Sequence, residues 1–231
     1  MTNVTVPEPR TYEDLATICE FPLLDTQLTE EQVAQGCALA KRLCLGAVIV
    51  RPSDLDLAAR WTGPSIALSA AVDWPHGHST TATKQYAVRD ALRRGAKEIV
   101  VTMNTGKLVS RQFQYLETEL VQIADACHEI RALLTVNLES EHLTDEHKIV
   151  ACRIAKRAGV DFLATPNLAD IAFLRNHARD KIQLKYRAAD SLEAALEAFA
   201  AGCTRIESSN AEPIMEAWKA RLVPAQSGEH A

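Results

Sequence analysis

Short apolar runs and helical segments alternate along this 231-residue chain, and three of the helical segments end alike, in Arg94-Gly95-Ala96, Ala158-Gly159-Val160 and Ala201-Gly202-Cys203. A glycine at that place can take the left-handed conformation that closes a helix, and each is followed at once by a strand-like run. The runs lack polar alternation, which is the pattern of parallel strands covered by helices. Strands are expected at 20–24, 45–50, 66–72, 97–103, 133–138, 160–165, 181–186 and 203–208. Helices are expected at 29–43, 82–94, 111–130, 144–158, 168–178, 191–201 and 211–221. Thr29-Glu30-Glu31-Gln32 and Asp190-Ser191-Leu192-Glu193 read as capping boxes that start two of them. Eight such units in this length predict an α/β fold, a single (β/α)8 TIM barrel over 11–223. Residues 1–10 read as a flexible lead-in and 224–231 as a flexible tail. A doubly wound sheet is the runner-up, but it finds no glycine-rich dinucleotide fingerprint and no P-loop in its support.

Composition narrows the function. A net charge of -5 argues against a nucleic-acid surface, and no apolar run reaches the roughly 18 residues of a membrane span. The N-terminus has neither a basic n-region nor an apolar h-region, so a cytoplasmic protein is expected. The six cysteines, at 19, 37, 44, 127, 152 and 203, form no CxxC pair and mostly lie in apolar patterns, as small buried hydrophobes in a reducing compartment would. No cofactor is expected. The anticipated partner is a small molecule, with a homodimer or a partner barrel of the same family as the anticipated assembly. Phe113, Tyr115 and Leu116 suit either a dimer surface or ordinary core.

A β/α barrel carries its chemistry at the C-terminal ends of the strands. Those ends supply Glu20 and Asp25, then Arg51, then Asp73, His76 and His78. Asn104 and Lys107 follow, then Glu139 and His142, Thr165 and Asn167, Lys185 and Arg187, and Glu207, Ser208, Ser209 and Asn210. Lys185 and Glu139 stand out because each sits in a strand-like apolar run. A lone buried charge there would be costly, so pairing or chemistry is expected.

Several stretches resemble the deoxyribose-phosphate aldolase family across roughly residues 15–221. They include Leu23-Leu24 with Thr29-Glu30-Glu31, Arg51-Pro52-Ser53, and Trp74-Pro75-His76-Gly77-His78-Ser79-Thr80-Thr81. Glu98-Ile99 with Asn104-x-Gly106, Glu139-Ser140 with Leu143-Thr144-Asp145-Glu146, Gly159-x-Asp161-Phe162, and Ala201-Gly202-x-Thr204-Arg205-Ile206-x-Ser208-Ser209 complete the set. The resemblance implies a TIM barrel and a Schiff-base lysine at the end of the sixth strand, where this chain has Ala164. It further implies a catalytic aspartate at Val100 and a lysine at Asp25. The seventh-strand lysine is kept as Lys185, but the phosphate-cradling glycines after it are Ala188 and Ala189. The eighth-strand glycine-rich turn is Glu207-Ser208-Ser209-Asn210-Ala211.

An alanine forms no imine and a valine relays no proton, so the resemblance does not carry ordinary deoxyribose-phosphate cleavage with it. Three readings stay open. The first is a divergent carbon–carbon lyase or related carbonyl enzyme acting on a non-phosphorylated small molecule. Lys185 would form the imine, Glu139 or Asp73 would shuttle protons, and His76 or His78 would be substitute shuttles. Arg51, His76, His78, Asn104, Asn167, Arg187, Glu207, Ser208 and Ser209 would bind the substrate, which would carry a positive group facing Glu207, Glu139 and Asp73. The second is a metal-assisted lyase using Asp73, His76 and His78, with Glu139 or Glu207 completing the set. The third is a catalytically silent barrel that binds, scaffolds or regulates.

Overall fold

In a computed structural model that describes residues 9–178 and 182–222, eight parallel strands close into a barrel in sequence order. They are β1 (Cys19–Leu23), β2 (Ala47–Val50), β3 (Ala67–Val72), β4 (Glu98–Thr102), β5 (Leu133–Asn137), β6 (Phe162–Thr165), β7 (Gln183–Tyr186) and β8 (Arg205–Glu207). The ring closes through β8 on β1, with Cys19 beside Ile206 and Glu20 beside Glu207. The helices α1 (Tyr12–Ile18), α2 (Glu30–Arg42), α3 (Leu55–Thr62), α4 (Thr81–Arg93) and α5 (Thr105–Val109) belong to the first half. The helices α6 (Phe113–Glu129), α7 (Asp145–Ala158), α8 (Ala169–Ala178), α9 (Leu192–Ala200) and α10 (Ala211–Leu222) complete the outer ring. This is the TIM barrel expected from the sequence. Most of the lead-in (residues 1–8) and the whole 224–231 tail lie outside the described residues.

The three glycines behave as the repeat predicts, with Gly95, Gly159 and Gly202 at φ of 101°, 76° and 103°. The repeat is longer than glycine alone reveals. Cys44 and Arg131 also sit at positive φ, 57° and 61°, directly before β2 and β5. There Leu45 N–H donates to Ala40 O and Ala132 N–H to Cys127 O. These match Ala96 N–H to Ala91 O and Cys203 N–H to Ala198 O at the glycine-closed ends. Two helices therefore close the same way at the steric cost of a side chain in that region.

Three helices were not anticipated: α1, α3 and α5. The first begins with a reciprocal capping box between Thr11 and Asp14. The large apolar core lies between the barrel wall and the helices, running from Leu15 and Val33 through Ile99, Leu120 and Leu134 to Ile206 and Trp218. Leu116 is fully buried in it, and Phe113 and Tyr115 are partly buried and pack against it. A separate small cluster of Ile49, Ala71 and Val100, with Leu24 and Trp74, belongs to the barrel interior. Among the described residues no helix is long and apolar enough to cross a membrane.

Candidate functional site

The interior of the barrel is polar, and its polar groups fall into two sets. In the first, Lys185 Nζ on β7 lies 2.9 Å from both carboxylate oxygens of Glu20 on β1. It also bonds Glu98 on β4, three strands away around the wall, so the contact crosses the interior. Arg205 on β8 donates to Glu20 at 2.8 Å and to Glu98 at 3.1 Å. Thr135 on β5 gives its hydroxyl to Glu98 at 2.5 Å. Phe162 on β6 offers its ring to both cations, 4.7 Å from Lys185 Nζ and 4.4 Å from the Arg205 guanidinium. Two acids meet two bases, and every charged group has a partner.

The protonation states follow from this packing. Burial by itself would lower the Lys185 pKa, but the Glu20 and Glu98 carboxylates outweigh it and hold the amine above its ordinary value. Burial raises Glu20 and the nearby Glu98 charge adds to it, against the pull of Lys185. Burial would raise Glu98 too, but Lys185 and Arg205 together keep it below the usual carboxylate range. The Lys185 amine is thus a fully buried, doubly paired ammonium. The imine expected of Lys185 needs a free amine, whereas here two carboxylates surround the amine and Arg205 is its neighbouring cation.

The second set lies at the C-terminal ends of the strands. Thr102 and Asn137 are the last residues of β4 and β5 and stand in register with each other. Asn137 is in register with Ala164, and Ala164 with Lys185. The position where the resemblance puts an imine-forming lysine is therefore a methyl group, between an asparagine and the buried ammonium. Thr102 Oγ1, Asn137 Oδ1, Glu207 Oε1 and Arg187 Nε are buried without a hydrogen-bond partner, as is Ser69 Oγ on β3. Buried polar atoms left unpaired are uncommon, and each calls for water or a ligand. Burial pushes Glu207 up to about 7, with repulsion from Glu20 adding to it and Lys185 and Arg187 pulling it back.

Above Glu207, Arg187 Nη2 bonds Glu139 at 3.0 Å, and its guanidinium lies 4.8 Å from the Trp74 ring. Trp74 belongs to the turn after β3, which Asp73 organises. The Asp73 carboxylate accepts from Ser79 N–H at 2.9 Å and Ser79 Oγ at 2.7 Å, and lies 3.5 Å from the buried Lys84 Nζ. Lys84 in turn pairs with Glu119 of α6 at 2.8 Å. Gly77, at φ 69°, crosses so close to Thr102 O that a Cβ would lie 2.4 Å from it. Only glycine allows that approach.

The expected site residues therefore separate. Lys185, Arg187 and Glu207 converge on the interior. Glu139 joins them through Arg187, as an ion-pair partner rather than a free proton shuttle. Asp73 anchors its turn instead of facing a substrate. His76 and His78 are exposed and stacked on each other at 5.4 Å. Among the described residues no three His, Cys, Asp or Glu side chains gather as a metal-binding group, so the Asp73, His76 and His78 ligand set is not assembled. Arg51 staples the turn after β1, bonding Asp54 at 2.6 Å and the carbonyls of Asp25 and Leu28. Asn104 caps α5, and Asn167 caps the start of α8 through Ala169 N–H while holding Asp170. Ser208 bonds Ala189 O and accepts from Asn210 N–H, and Ser209 is exposed. Glu207, Glu139 and Asp73 do not form one acidic wall, since only Glu207 lacks a dedicated partner.

The sequence alone marks Glu98 and Arg205 only as members of a motif and places Glu20 at a strand end. Glu20 is in fact the second residue of β1, and Glu98 and Arg205 are the first residues of β4 and β8. Parity was the available signal: Glu98 shares its face with Val100 and Thr102, and Arg205 shares its face with Glu207.

A family model for DeoC/LacD family aldolases matches residues 19–190, most of the barrel. The chain belongs to that family. Among curated DeoC/LacD-type relatives, deoxyribose-phosphate aldolase of Bacteroides thetaiotaomicron is 31% identical over 217 residues, covering 90% of this chain and 91% of the relative. That of Aciduliprofundum boonei is 31% identical over 215 residues, covering 88% and 96%. Among solved structures, an aldolase named QR15 superposes with a TM-score of 0.85 at 24% identity, covering 90% of this chain and 97% of the other. A deoxyribose phosphate aldolase from Aeropyrum pernix, described as a unique tetramer, gives 0.83 at 22%, covering 91% and 93%. These two structural likenesses bear on the fold. The family assignment rests on the sequence matches.

Proposed function

We propose that this chain is an aldolase-type carbonyl enzyme that works by acid–base chemistry on a small, non-phosphorylated substrate, with Glu207 as its proton carrier. The observation that carries this reading is the Glu207 carboxyl: fully buried, raised to about 7, and with one oxygen lacking a partner. A group that titrates near neutral pH both accepts and returns a proton efficiently. Arg187, beside it with an unpaired Nε, is suited to hold the oxygen on which negative charge develops during enolate formation. Asn137 and Thr102 supply hydrogen-bond partners for a substrate hydroxyl next to Ala164. Lys185 acts as a fixed positive charge, since forming an imine would first require stripping a proton from an ammonium between two carboxylates. The substrate enters by displacing the Arg187–Glu139 pair under Trp74.

The loops after β7 and β8 support a substrate without phosphate. Ala189 N–H is taken by Glu207 O, Ser208 N–H by Glu20 O and Asn210 N–H by Ser208 Oγ. These backbone donors are spent inside the protein, and Glu207 adds negative charge next to them. A cytoplasmic setting suits the six free cysteines, of which Cys19, Cys127, Cys152 and Cys203 have thiols pushed up to about 12 by burial.

The test is exchange of the α-protons of acetaldehyde and hydroxyacetone in heavy water, followed by NMR, with borohydride trapping in parallel. Exchange with an inflection near pH 7, falling at least about 100-fold in Glu207→Gln, and no reduced adduct on Lys185, is the expected result. An adduct on Lys185 that vanishes in Lys185→Ala would replace this route by imine catalysis. Neither exchange nor adduct would return the chain to a binding role, and cleavage of deoxyribose 5-phosphate would overturn the exclusion of phosphate.

A further inference from the structure

Arg187 follows β7 directly and shares the inward parity of Lys185. Its N–H donates to Thr165 O at 2.9 Å, which carries the strand pairing one residue past the end of β7. The side chain is only 7% exposed, its guanidinium lies 4.8 Å from the Trp74 ring, and it is close enough to Glu207 to act on its charge. A guanidinium laid on an aromatic ring presents its edge to a ligand. The side-on edge carries two donors, Nε and Nη2, and only one of them is used. Nη2 bonds Glu139 Oε1 at 3.0 Å, whereas Nε is buried without a partner. The fork is half filled, and what fills that half is a carboxylate. Glu139, in the loop after β5, has 24% of its side chain exposed, so it can turn to water when displaced.

We propose that the substrate is a 2-oxo acid, with a carboxylate oxygen replacing Glu139 on Nη2 and the adjacent carbonyl oxygen taking Nε. In such an acid the two oxygens lie on one side of a planar unit, which matches the planar fork. Its charge is opposite to the one expected from Glu207, Glu139 and Asp73, because Glu139 and Asp73 already have cations of their own. The proposal rests on the reading of Glu207 as proton carrier. Glu207 takes a proton from the carbon next to the carbonyl, and the C–H electron pair becomes the enolate double bond. The carbonyl π pair moves onto the oxygen held at Nε, and the reverse step returns the proton to carbon. The N–H groups of Ala189 and Ser208 are spent on Glu207 O and Glu20 O, so the further oxygens of a phosphate gain nothing from them.

Titration calorimetry of the full chain with pyruvate, pyruvamide, acetate and inorganic phosphate provides the test. Pyruvate is expected to bind at least about tenfold more tightly than pyruvamide, which lacks the carboxylate, or acetate, which lacks the carbonyl. Phosphate is expected not to compete. Arg187→Lys keeps the charge but loses the fork, and should weaken pyruvate at least about tenfold with an unchanged thermal melt. Glu139→Gln removes the internal competitor and should tighten pyruvate by about threefold or more. The two variants act in opposite directions, so a folding defect does not imitate the pair. Exchange of the pyruvate methyl protons in heavy water is followed alongside. Binding without exchange supports the 2-oxo acid subsite while removing Glu207 as the carrier, and exchange on hydroxyacetone without pyruvate binding overturns the subsite while keeping Glu207. Equal affinity for pyruvate and pyruvamide, competition by phosphate, or no effect of either substitution would also overturn the proposal.

Discussion

The barrel interior contains two polar regions that follow opposite rules. Toward the strand starts, the charged groups of Glu20, Glu98, Arg205 and Lys185 are all paired and Thr135 donates to Glu98, and the unpaired atom there is the neutral hydroxyl of Ser69, in register with Glu98. At the strand ends, Thr102, Asn137, Arg187 and Glu207 each keep a buried atom unpaired. The same wall positions both sets, so the difference is not one of burial. A buried charge left alone is so costly that a region serving only stability pairs every charge. A region that keeps unpaired atoms gives up stability for something that will pair with them later. The proposed function therefore draws on the second region and leaves Lys185 in the first, even though the sequence presents Lys185 as the more reactive residue.

The largest expected effect tests the first region. Lys185→Met leaves Glu20 and Glu98 with Arg205 as their one remaining cation, and should lower stability by about 3–5 kcal/mol in urea unfolding at neutral pH. A neutral or stabilising outcome would mean that the set is not paired as described. The next effect tests Glu207. Its folded pKa, about 7, is above the ordinary carboxylate value, so between the two the folded state binds more protons than the unfolded one. Stability therefore falls as pH rises from about 4.5 through 7. Glu207→Gln removes that slope, and at pH 8 the variant should be more stable than the parent, by up to on the order of 3 kcal/mol. A parent whose stability is flat between pH 5 and 8 would break this assignment.

The smallest effect compares the regions directly, through two threonines on neighbouring strands. Thr135→Val removes a hydrogen bond to a charged carboxylate and should cost about 1.5–3 kcal/mol. Thr102→Val removes a hydroxyl that has no partner, and should be neutral or stabilising by about 1 kcal/mol while weakening substrate binding. Equal costs at the two positions would erase the distinction between the regions.

Much of this protein was legible before any coordinates. Helix caps, glycine-closed helix ends and apolar runs are local features, set by backbone sterics and hydrogen bonding within a few residues, and they indicate the eight units and their order, although of the two expected capping boxes only Thr29–Gln32 forms, Ser191 capping its helix through Ala194 N–H alone. Cys44 and Arg131 close two more helices in the left-handed region without any compositional trace, and those ends were legible from the apolar runs that follow them. Ala164, where the resemblance expects an imine-forming lysine, was also readable, since an alanine forms no imine. What the chain alone did not reveal was which charges meet. Lys185 and Glu20 are 165 positions apart, and Lys185 and Glu98 are 87 apart. Closure of the barrel decides that two carboxylates surround that lysine while Glu207 keeps a free oxygen. Protonation depends on distance and desolvation, both of which exist only once the strands have come together.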